Sequence, residues 1–254
     1  MLFDSIARRL TPLLVAPAVL ASVSAQALEI RLLAANAVNG SVVEIVSRFE
    51  QTSGHKVLFT WGSSPEIAKR VGSGEAFDVA ILTSASIDKL ISEGKLVGQS
   101  RAVFAKTGVG VAVRAGQPRP DISTADAVKN AVLAAKSVGY SAGTSGIYLA
   151  DLFKRMGIAE QIKEKVRRPP SGTPVGELVA RGEVDLGFQQ ASELIHIKGI
   201  DYLGPLPPEI QTVTAYTLGL NASSASRDAA MGLIKTLTSP ESAAIIRKNG
   251  MDPP

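Results

Sequence analysis

The sequence predicts an α/β protein of two lobes, each a mostly parallel sheet flanked by helices, joined by two strands. Three observations predict this class. Strand-like and helix-like segments alternate over residues 29–95, a pattern typical of parallel sheets. The alternation breaks in a glycine- and proline-rich segment at 104–123 and then resumes. The last two helical segments have no sheet of their own, so the chain is expected to return to the first lobe.

The first lobe begins with a short apolar run followed by an amphipathic segment. Within 40–54, apolar residues recur at helical spacing, and Gly54 is a typical helix end. The same alternation of strand and helix then repeats twice. The predicted strands are 29–35, 56–61 and 78–82, and the predicted helices are 40–54, 64–74 and 86–95.

The second lobe repeats the pattern after the proline-rich loop. The predicted elements are a strand near 104–113, a helix at 123–136, a strand at 137–140, a helix that begins near Ser145, a helix at 173–183, strands at 184–188 and 212–221, and helices at 224–238 and 240–249. We expect lobe 1 to comprise 28–108 and 212–254 and lobe 2 to comprise 109–211. The segments near 104–113 and 210–220 are then the hinge.

The N-terminal segment 1–27 has the pattern of a secretory signal peptide. Arg8 and Arg9 precede an apolar run, and Ala25-Gln26-Ala27 supplies small residues at a cleavage site. An uncleaved membrane anchor is the alternative, but the run is short for a span and contains Pro17. We therefore expect a periplasmic protein, cleaved near Ala27.

Composition excludes several classes of function. The chain has no cysteine and only two histidines, His55 and His196, without acids at metal-ligand spacing, so we expect no metal and no cofactor. The net charge is +4 and aromatic residues are 5% of the sequence, without a basic stripe, so nucleic acid is not an expected partner. The loops offer no nucleophile–base pair, so we expect binding without catalysis. An exported enzyme and a transcription-factor effector domain are the competing classes.

The stretch "GYSAGTSGIYLADLF" at 139–153 suggests an anion site. Glycines and small hydroxyl residues precede a helical pattern in which Ser145 is the predicted N-cap. Free backbone N–H groups at a helix N-terminus attract anions. An ordinary capped helix is the alternative. The nucleophile motif G-x-S-x-G does not fit, because Gly146 follows Ser145 directly.

Several segments together resemble the periplasmic molybdate-binding proteins of bacterial ABC transporters. The segments are "LLAANAVNGSVVEI", "SPEIAKRV" followed by "GEAFDVAILTS", "TSGIY", and "SPESAAIIRKNG". Their order covers nearly all of the chain after the N-terminal segment. The resemblance implies a type II periplasmic binding protein of the Venus-flytrap kind. It further implies a monomer that binds a small oxyanion, such as molybdate or tungstate, and delivers this anionic ligand to an ABC transporter membrane permease.

The resemblance also implies a set of ligand-binding residues. They are Asn36, Ser63, Ser64, Ser145, a backbone N–H near Gly172, and Gln190. Asn36 stands where the family has a serine, and Gln190 where it has a tyrosine. Both amides bring an acceptor as well as a donor, whereas an unprotonated oxyanion needs donors alone. A small di- or tricarboxylate is therefore the alternative ligand.

Four further residues have two interpretations each. Trp61 either packs in the core or forms a wall of the ligand site, and Glu66 is either a solvated first-turn acid or a competitor for the helix dipole. Arg167 and Arg168 either bind a carboxylate or belong to a solvated basic turn.

Overall fold

The computed structural model describes residues 27–169 and 173–254. The predicted signal peptide, apart from Ala27, and the predicted donor near Gly172 lie outside the described residues. Within the described ranges, none of the helices is long and apolar enough to span a bilayer.

Strands and helices alternate along the described chain as the sequence predicts. The strands are β1 (Glu29–Ala35), β2 (Lys56–Gly62), β3 (Val79–Thr83), β4 (Ala102–Arg114), β5 (Val138–Tyr140), β6 (Val166–Arg167), β7 (Leu186–Gln190), β8 (Ile200–Pro205) and β9 (Val213–Leu220). The helices are α1 (Asn39–Ser53), α2 (Ser64–Gly72), α3 (Ser84–Ser92), α4 (Ala125–Ala134), α5 (Thr144–Arg155), α6 (Ala159–Ile162), α7 (Val175–Ala180), α8 (Ala191–Leu194), α9 (Arg227–Leu237) and α10 (Ala243–Lys248).

The strands form a continuous series in the order β2-β1-β3-β9-β4-β7-β5-β6, and β8 pairs with β4. Strands β1, β2 and β3 are parallel, as are β5, β6 and β7. The long strands β4 and β9 are antiparallel to each other and lie between the two parallel groups. They are the strands predicted as the hinge, and β4 contributes to both hydrophobic cores.

Two large hydrophobic cores give the molecule its two lobes. The first combines strands β1 and β3 with helices α1, α9 and α10 and ends on β4 at Ala105. The second begins on β4 at Val109 and includes residues of α4, α5 and β7. We call these halves lobe 1 and lobe 2. The return of α9 and α10 to the first core explains why they have no sheet of their own. The boundaries at 108/109 and 211/212 stay a prediction.

The structure differs from the sequence prediction at two short elements and one cap. Strand β8 was not predicted because the segment "IDYLGP" contains a glycine and a proline, and α8 is only four residues long. Gly143, rather than Ser145, is the N-cap of α5, and Ser145 lies inside the first turn. The prediction of Ser145 as the cap was wrong because the helix begins two residues earlier than a cap at Ser145 requires.

Several strands end where helices begin, and these transitions form a candidate site. Strand β1 ends at Ala35 and a 3-10 turn over Asn36–Val38 leads into α1. Likewise β2 is followed by α2, β5 by α5 and β7 by α8. Because the carboxyl ends of parallel strands meet at one edge of a sheet, these transitions gather helix N-termini beside the lobe boundary.

A candidate ligand cleft between the lobes

A cavity of about 140 Å³ lies where the two lobes meet. Residues of lobe 1 that border it include Asn36, Ser63, Ser64, Glu66 and Tyr216, and those of lobe 2 include Ser141, Ser145, Thr173, Gln189, Gln190 and Glu193. Both lobes therefore contact whatever binds here. We call this cavity the cleft.

The N-terminus of α2 presents two serines to the cleft. Ser63 caps the helix, its Oγ accepting from the backbone N–H of Glu66 at 3.3 Å. Ser64 is 3% exposed, and its Oγ accepts from the backbone N–H of Thr83 at 3.2 Å. No described residue accepts the Ser64 O–H, so this hydroxyl can donate to a ligand.

The loop before α5 forms the facing wall in lobe 2. The backbone N–H of Gly143 donates to Ser141 Oγ at 3.2 Å, which makes the loop compact. A Cβ placed on Gly146 would lie 1.6 Å from the backbone oxygen of Ser141, so only glycine allows the loop to fold against the first turn. Ser145 is 3% exposed and borders the cleft. It lies in the first turn of α5, where backbone N–H groups have no acceptor within the helix.

The end of β7 and the start of α8 contribute three polar side chains. Gln189 donates from Nε2 to a carboxylate oxygen of Glu193 at 2.8 Å and accepts at Oε1 from the Gly176 N–H at 3.3 Å. Gln190 is 2% exposed and donates from Nε2 to Thr214 Oγ1 at 3.1 Å. Gln190 Oε1 is buried without a hydrogen-bond partner among the described residues. Such an orphan acceptor is costly unless a ligand or water satisfies it.

Glu193 is the most strongly perturbed carboxyl group of the cleft. Burial raises its pKa to about 7, although the hydrogen bond from Gln189 acts in the opposite direction. The Glu193 side chain is partly exposed to solvent through the cleft, and the rest of it is enclosed by neighbouring residues. A carboxyl group that titrates near neutrality can both accept and return a proton.

Tyr216 on β9 faces the same cleft. Burial, followed by the negative charge of Glu193, raises the pKa of its hydroxyl, and a contact with Gln190 lowers it. The phenol therefore stays protonated and can donate a hydrogen bond. No tyrosine occupies position 190, where the family resemblance would place one, but the hinge strand supplies a phenol to the same cavity.

The described lining of the cleft contains acids but no lysine or arginine. Arg168 lies 5.0 Å from the centre of the Tyr140 ring and borders a separate pocket. Arg167 donates to the carbonyl oxygens of Glu164 and Val166. The described donors in the cleft are thus neutral side chains and helix N-termini, whose partial positive charge favours anions.

The structure brings five of the six predicted ligand-binding residues to one cavity. They are Asn36, Ser63, Ser64, Ser145 and Gln190, and their role in binding stays a prediction. Gly172 is outside the described residues. Glu66 also borders the cleft. Trp61 does not: it stacks on Phe59 at 5.2 Å and borders an adjacent cavity.

Sequence reasoning missed Gln189, Glu193 and Tyr216. Glu193 lies three residues after Gln190, so an acid within one helical turn of a predicted ligand residue was the available signal. Tyr216 lies in a predicted strand, but strand periodicity alone does not tell which cavity an inward side chain meets.

The chain matches one protein family and is similar in sequence to known bacterial proteins. The family described as "Bacterial extracellular solute-binding protein" matches residues 30–252. A Pseudomonas sp. protein named "Aconitate isomerase" is 36% identical over 87% of this chain and 87% of its own. A molybdate-binding protein of Azotobacter vinelandii is 27% identical over 67% of this chain and 68% of its own.

Solved structures share the fold at low sequence identity. The structure of the Azotobacter vinelandii periplasmic molybdate-binding protein has a TM-score of 0.73 and 19% identity, covering 89% of this chain and 99% of that one. The predicted fold class and the resemblance to periplasmic molybdate-binding proteins are thereby confirmed.

The expectation of binding without catalysis was wrong, because the 36% identical relative is named as an enzyme. That expectation rested on the lack of a nucleophile–base pair or a metal set. An isomerisation by proton transfer needs neither, since one well-placed acid–base group suffices.

Proposed function

This chain belongs to the bacterial extracellular solute-binding protein family, and we propose that its cleft binds and isomerises an unsaturated tricarboxylate, aconitate. The name of the Pseudomonas relative supplies the reaction. Glu193, a carboxyl group with a pKa of about 7 beside an anion-attracting cavity, is the observation that carries the proposal. The alternative ligand class inferred from Asn36 and Gln190, a small organic acid, is the one this proposal takes up.

The reaction requires a proton to move between two carbons. In aconitate, the methylene group lies next to the double bond and to a carboxylate, so its C–H bond is weakly acidic. In the proposed step, the Glu193 carboxylate takes one methylene proton, and the electron pair delocalises over the three-carbon unit and its carboxylates. Glu193 then returns the proton to the former vinyl carbon. The double bond has moved, and its cis or trans geometry is set by the conformation in which the cleft holds the intermediate.

Hydrogen-bond donors of the cleft can stabilise the negative charge that develops on the substrate carboxylates during proton transfer. The protonated Tyr216 hydroxyl can donate to a carboxylate oxygen whose negative charge grows as the proton leaves, and preorganised donors of this kind stabilise such intermediates. Ser64, Ser145 and the nearby helix N-termini would hold the other carboxylates. Asn36 adds a side-chain amide that can donate to any of them.

The test is conversion of trans-aconitate by the purified mature chain. We expect the cis isomer to accumulate until a fixed ratio is reached from either direction, as followed by liquid chromatography. Replacement of Glu193 by Gln keeps the side-chain shape but removes the base. That variant is expected to bind the substrate without converting it. Conversion at the wild-type rate by the variant would overturn the assignment of Glu193.

Import of an oxyanion is the second candidate function. It is favoured by Ser64 and Ser145, small hydroxyl residues of two helix N-termini that border the cleft. In this candidate, the periplasmic chain delivers molybdate or tungstate to an ABC transporter permease. Glu193 counts against it, because binding an unprotonated oxyanion needs no group that takes up and returns a proton near neutral pH.

Thermal shift separates the two candidates. A ligand present at 100 times its dissociation constant stabilises a protein by about 2.7 kcal/mol. We expect both aconitate isomers to raise the unfolding midpoint, and molybdate, tungstate, sulfate and phosphate to leave it unchanged. A shift with molybdate alone would favour the import candidate.

We also propose that residues 1–27 direct export and are removed near Ala27. N-terminal sequencing of protein recovered from the periplasm would begin near Leu28. Recovery of the intact N-terminus from the cytosol would contradict export.

A further inference from the structure

A second and larger cavity of about 450 Å³ adjoins the cleft behind Glu193. Asn36, Pro174 and Glu193 border both cavities. Further residues that line this second cavity include Asn39, Trp61, Ser192, His196 and Asn249. We call this second cavity the rear chamber. Glu193 therefore stands at the junction of two spaces rather than at the end of one.

Both polar and apolar side chains line the rear chamber. Asn39, Ser192 and Asn249 contribute amide and hydroxyl groups, and His196 contributes an imidazole. Trp61 supplies a flat apolar wall. Apart from Glu193, none of the described residues that line the rear chamber is acidic. This arrangement suits a small group with an apolar carbon and an anionic head.

One hydroxyl at the rear chamber has no hydrogen-bond partner among the described residues, and a glycine leaves room for the polar groups beside it. Ser192 is 6% exposed, and its Oγ has no hydrogen-bond partner among the described residues. A Cβ placed on Gly40 would lie 2.4 Å from Asn249 Oδ1 and 3.3 Å from His196 Nε2, so a side chain at position 40 would displace the polar groups gathered there.

We propose that the rear chamber binds one carboxylate arm of the substrate and so selects tricarboxylates over dicarboxylates. The inference rests on the proposed isomerisation. A base at the junction lies against the reacting carbon when one arm occupies the rear chamber and the rest of the substrate occupies the cleft. An acid with one arm fewer fills the cleft but leaves the rear chamber empty.

Asn39→Asp tests this assignment with a minimal change of the side chain. Asn39 is exposed and is the first residue of α1, where an acid favours the helix dipole, so the variant is expected to fold. The added negative charge should weaken binding of cis- and trans-aconitate about tenfold by repulsion of the arm. Itaconate, which lacks one terminal carboxylate, should bind with unchanged affinity.

Asn130→Asp is the matched control. Asn130 is an exposed residue of α4 in lobe 2 and borders neither the cleft nor the rear chamber. It adds the same charge and should leave every affinity unchanged. His196→Ala, at an exposed position, should weaken binding of both aconitate isomers and spare itaconate.

The outcomes separate this inference from the proposed function. A wild-type chain that isomerises aconitate, together with an Asn39→Asp variant that binds it as tightly as Asn130→Asp does, would overturn the rear-chamber assignment alone. Equal weakening of aconitate and itaconate by Asn39→Asp would also overturn it. A wild-type chain that binds neither aconitate isomer would overturn both proposals. Calorimetric titration provides each affinity.

Discussion

Gln189 donates a hydrogen bond from Nε2 to the carboxylate of Glu193 at 2.8 Å, while its own Oε1 accepts from the N–H of Gly176 at 3.3 Å. The two residues lie on either side of the β7–α8 junction, and Gly176 lies in the first turn of α7. The contact thus fixes the orientation of the carboxyl group from two elements. Burial raises the pKa of that group, and the hydrogen bond lowers it in part.

Gln189→Leu should raise the pKa of Glu193 above its present value of about 7, because the hydrogen bond that lowers it is lost. The variant also leaves the Gly176 N–H without its acceptor, so some loss of stability is expected. Carbon-13 NMR titration of labelled glutamate carboxyl groups measures the shift. An unchanged or lowered pKa would show that Gln189 does not control the proton affinity of Glu193.

Glu193→Gln should make the protein more stable at neutral and alkaline pH. The pKa of Glu193 rises from 4.5 to about 7 on folding, so the folded state binds more protons between these values. Stability of the wild type therefore falls as the pH rises from 4.5 to about 7. The variant should not show this fall and should be more stable by roughly 1–3 kcal/mol above that range, after allowance for partial solvent access.

Urea unfolding of both proteins across this pH range provides the measurement. Glu66→Gln, at the other described acid of the cleft, is the comparison variant. Parallel stability curves for wild type and Glu193→Gln would contradict the burial of a charged carboxylate at position 193.

Ser145→Ala should weaken ligand binding by about 1–3 kcal/mol, the range for a lost hydrogen bond to a charged group, and leave stability unchanged. Ser64→Ala should weaken binding similarly. It should also reduce stability, because Ser64 Oγ accepts from the backbone N–H of Thr83. Calorimetric titration and thermal unfolding together distinguish the two effects. Unchanged affinity in both variants would show that the serines do not contact the ligand.

Gly146→Ala should disrupt the loop before α5, since the new Cβ would lie 1.6 Å from the backbone oxygen of Ser141. We expect a loss of stability of about 1–3 kcal/mol and weaker binding, as the backbone shifts to relieve the overlap. Gly72→Ala is the control. Gly72 ends α2, and a Cβ added there would meet nothing within 4 Å, so that variant should be as stable as the wild type or slightly more stable. Equal behaviour of the two variants would contradict the close approach at Ser141.

The sequence was sufficient to predict the fold and the helix starts that border the cleft from both lobes. Asn36, Ser64 and Ser145 follow predicted strands at helix starts, and the carboxyl ends of parallel strands meet at one edge of a sheet. Their convergence therefore follows from local patterns. The return of the last two helices to lobe 1 followed from the lack of a second sheet for them to cover.

The chemistry of the cleft was harder to predict. Glu193 is one acid in "QQASEL", and its pKa depends on burial between lobes that are distant in sequence. Tyr216 reaches the cleft only because β9 crosses from one lobe to the other. The family resemblance directed attention to the missing tyrosine at position 190, whereas the structure supplies a phenol from a different strand.

The most direct test of the proposed isomerisation is proton exchange into aconitate in deuterated water, followed by proton NMR. With the wild-type chain, we predict that the proton held by Glu193 exchanges with solvent before it is returned, so that deuterium enters the methylene carbon as trans- and cis-aconitate interconvert. Glu193→Gln should bind aconitate without exchange, and Glu66→Gln should retain it. Isomerically stable, deuterium-free aconitate in the presence of the wild type, or full exchange catalysed by Glu193→Gln, would contradict the proposal.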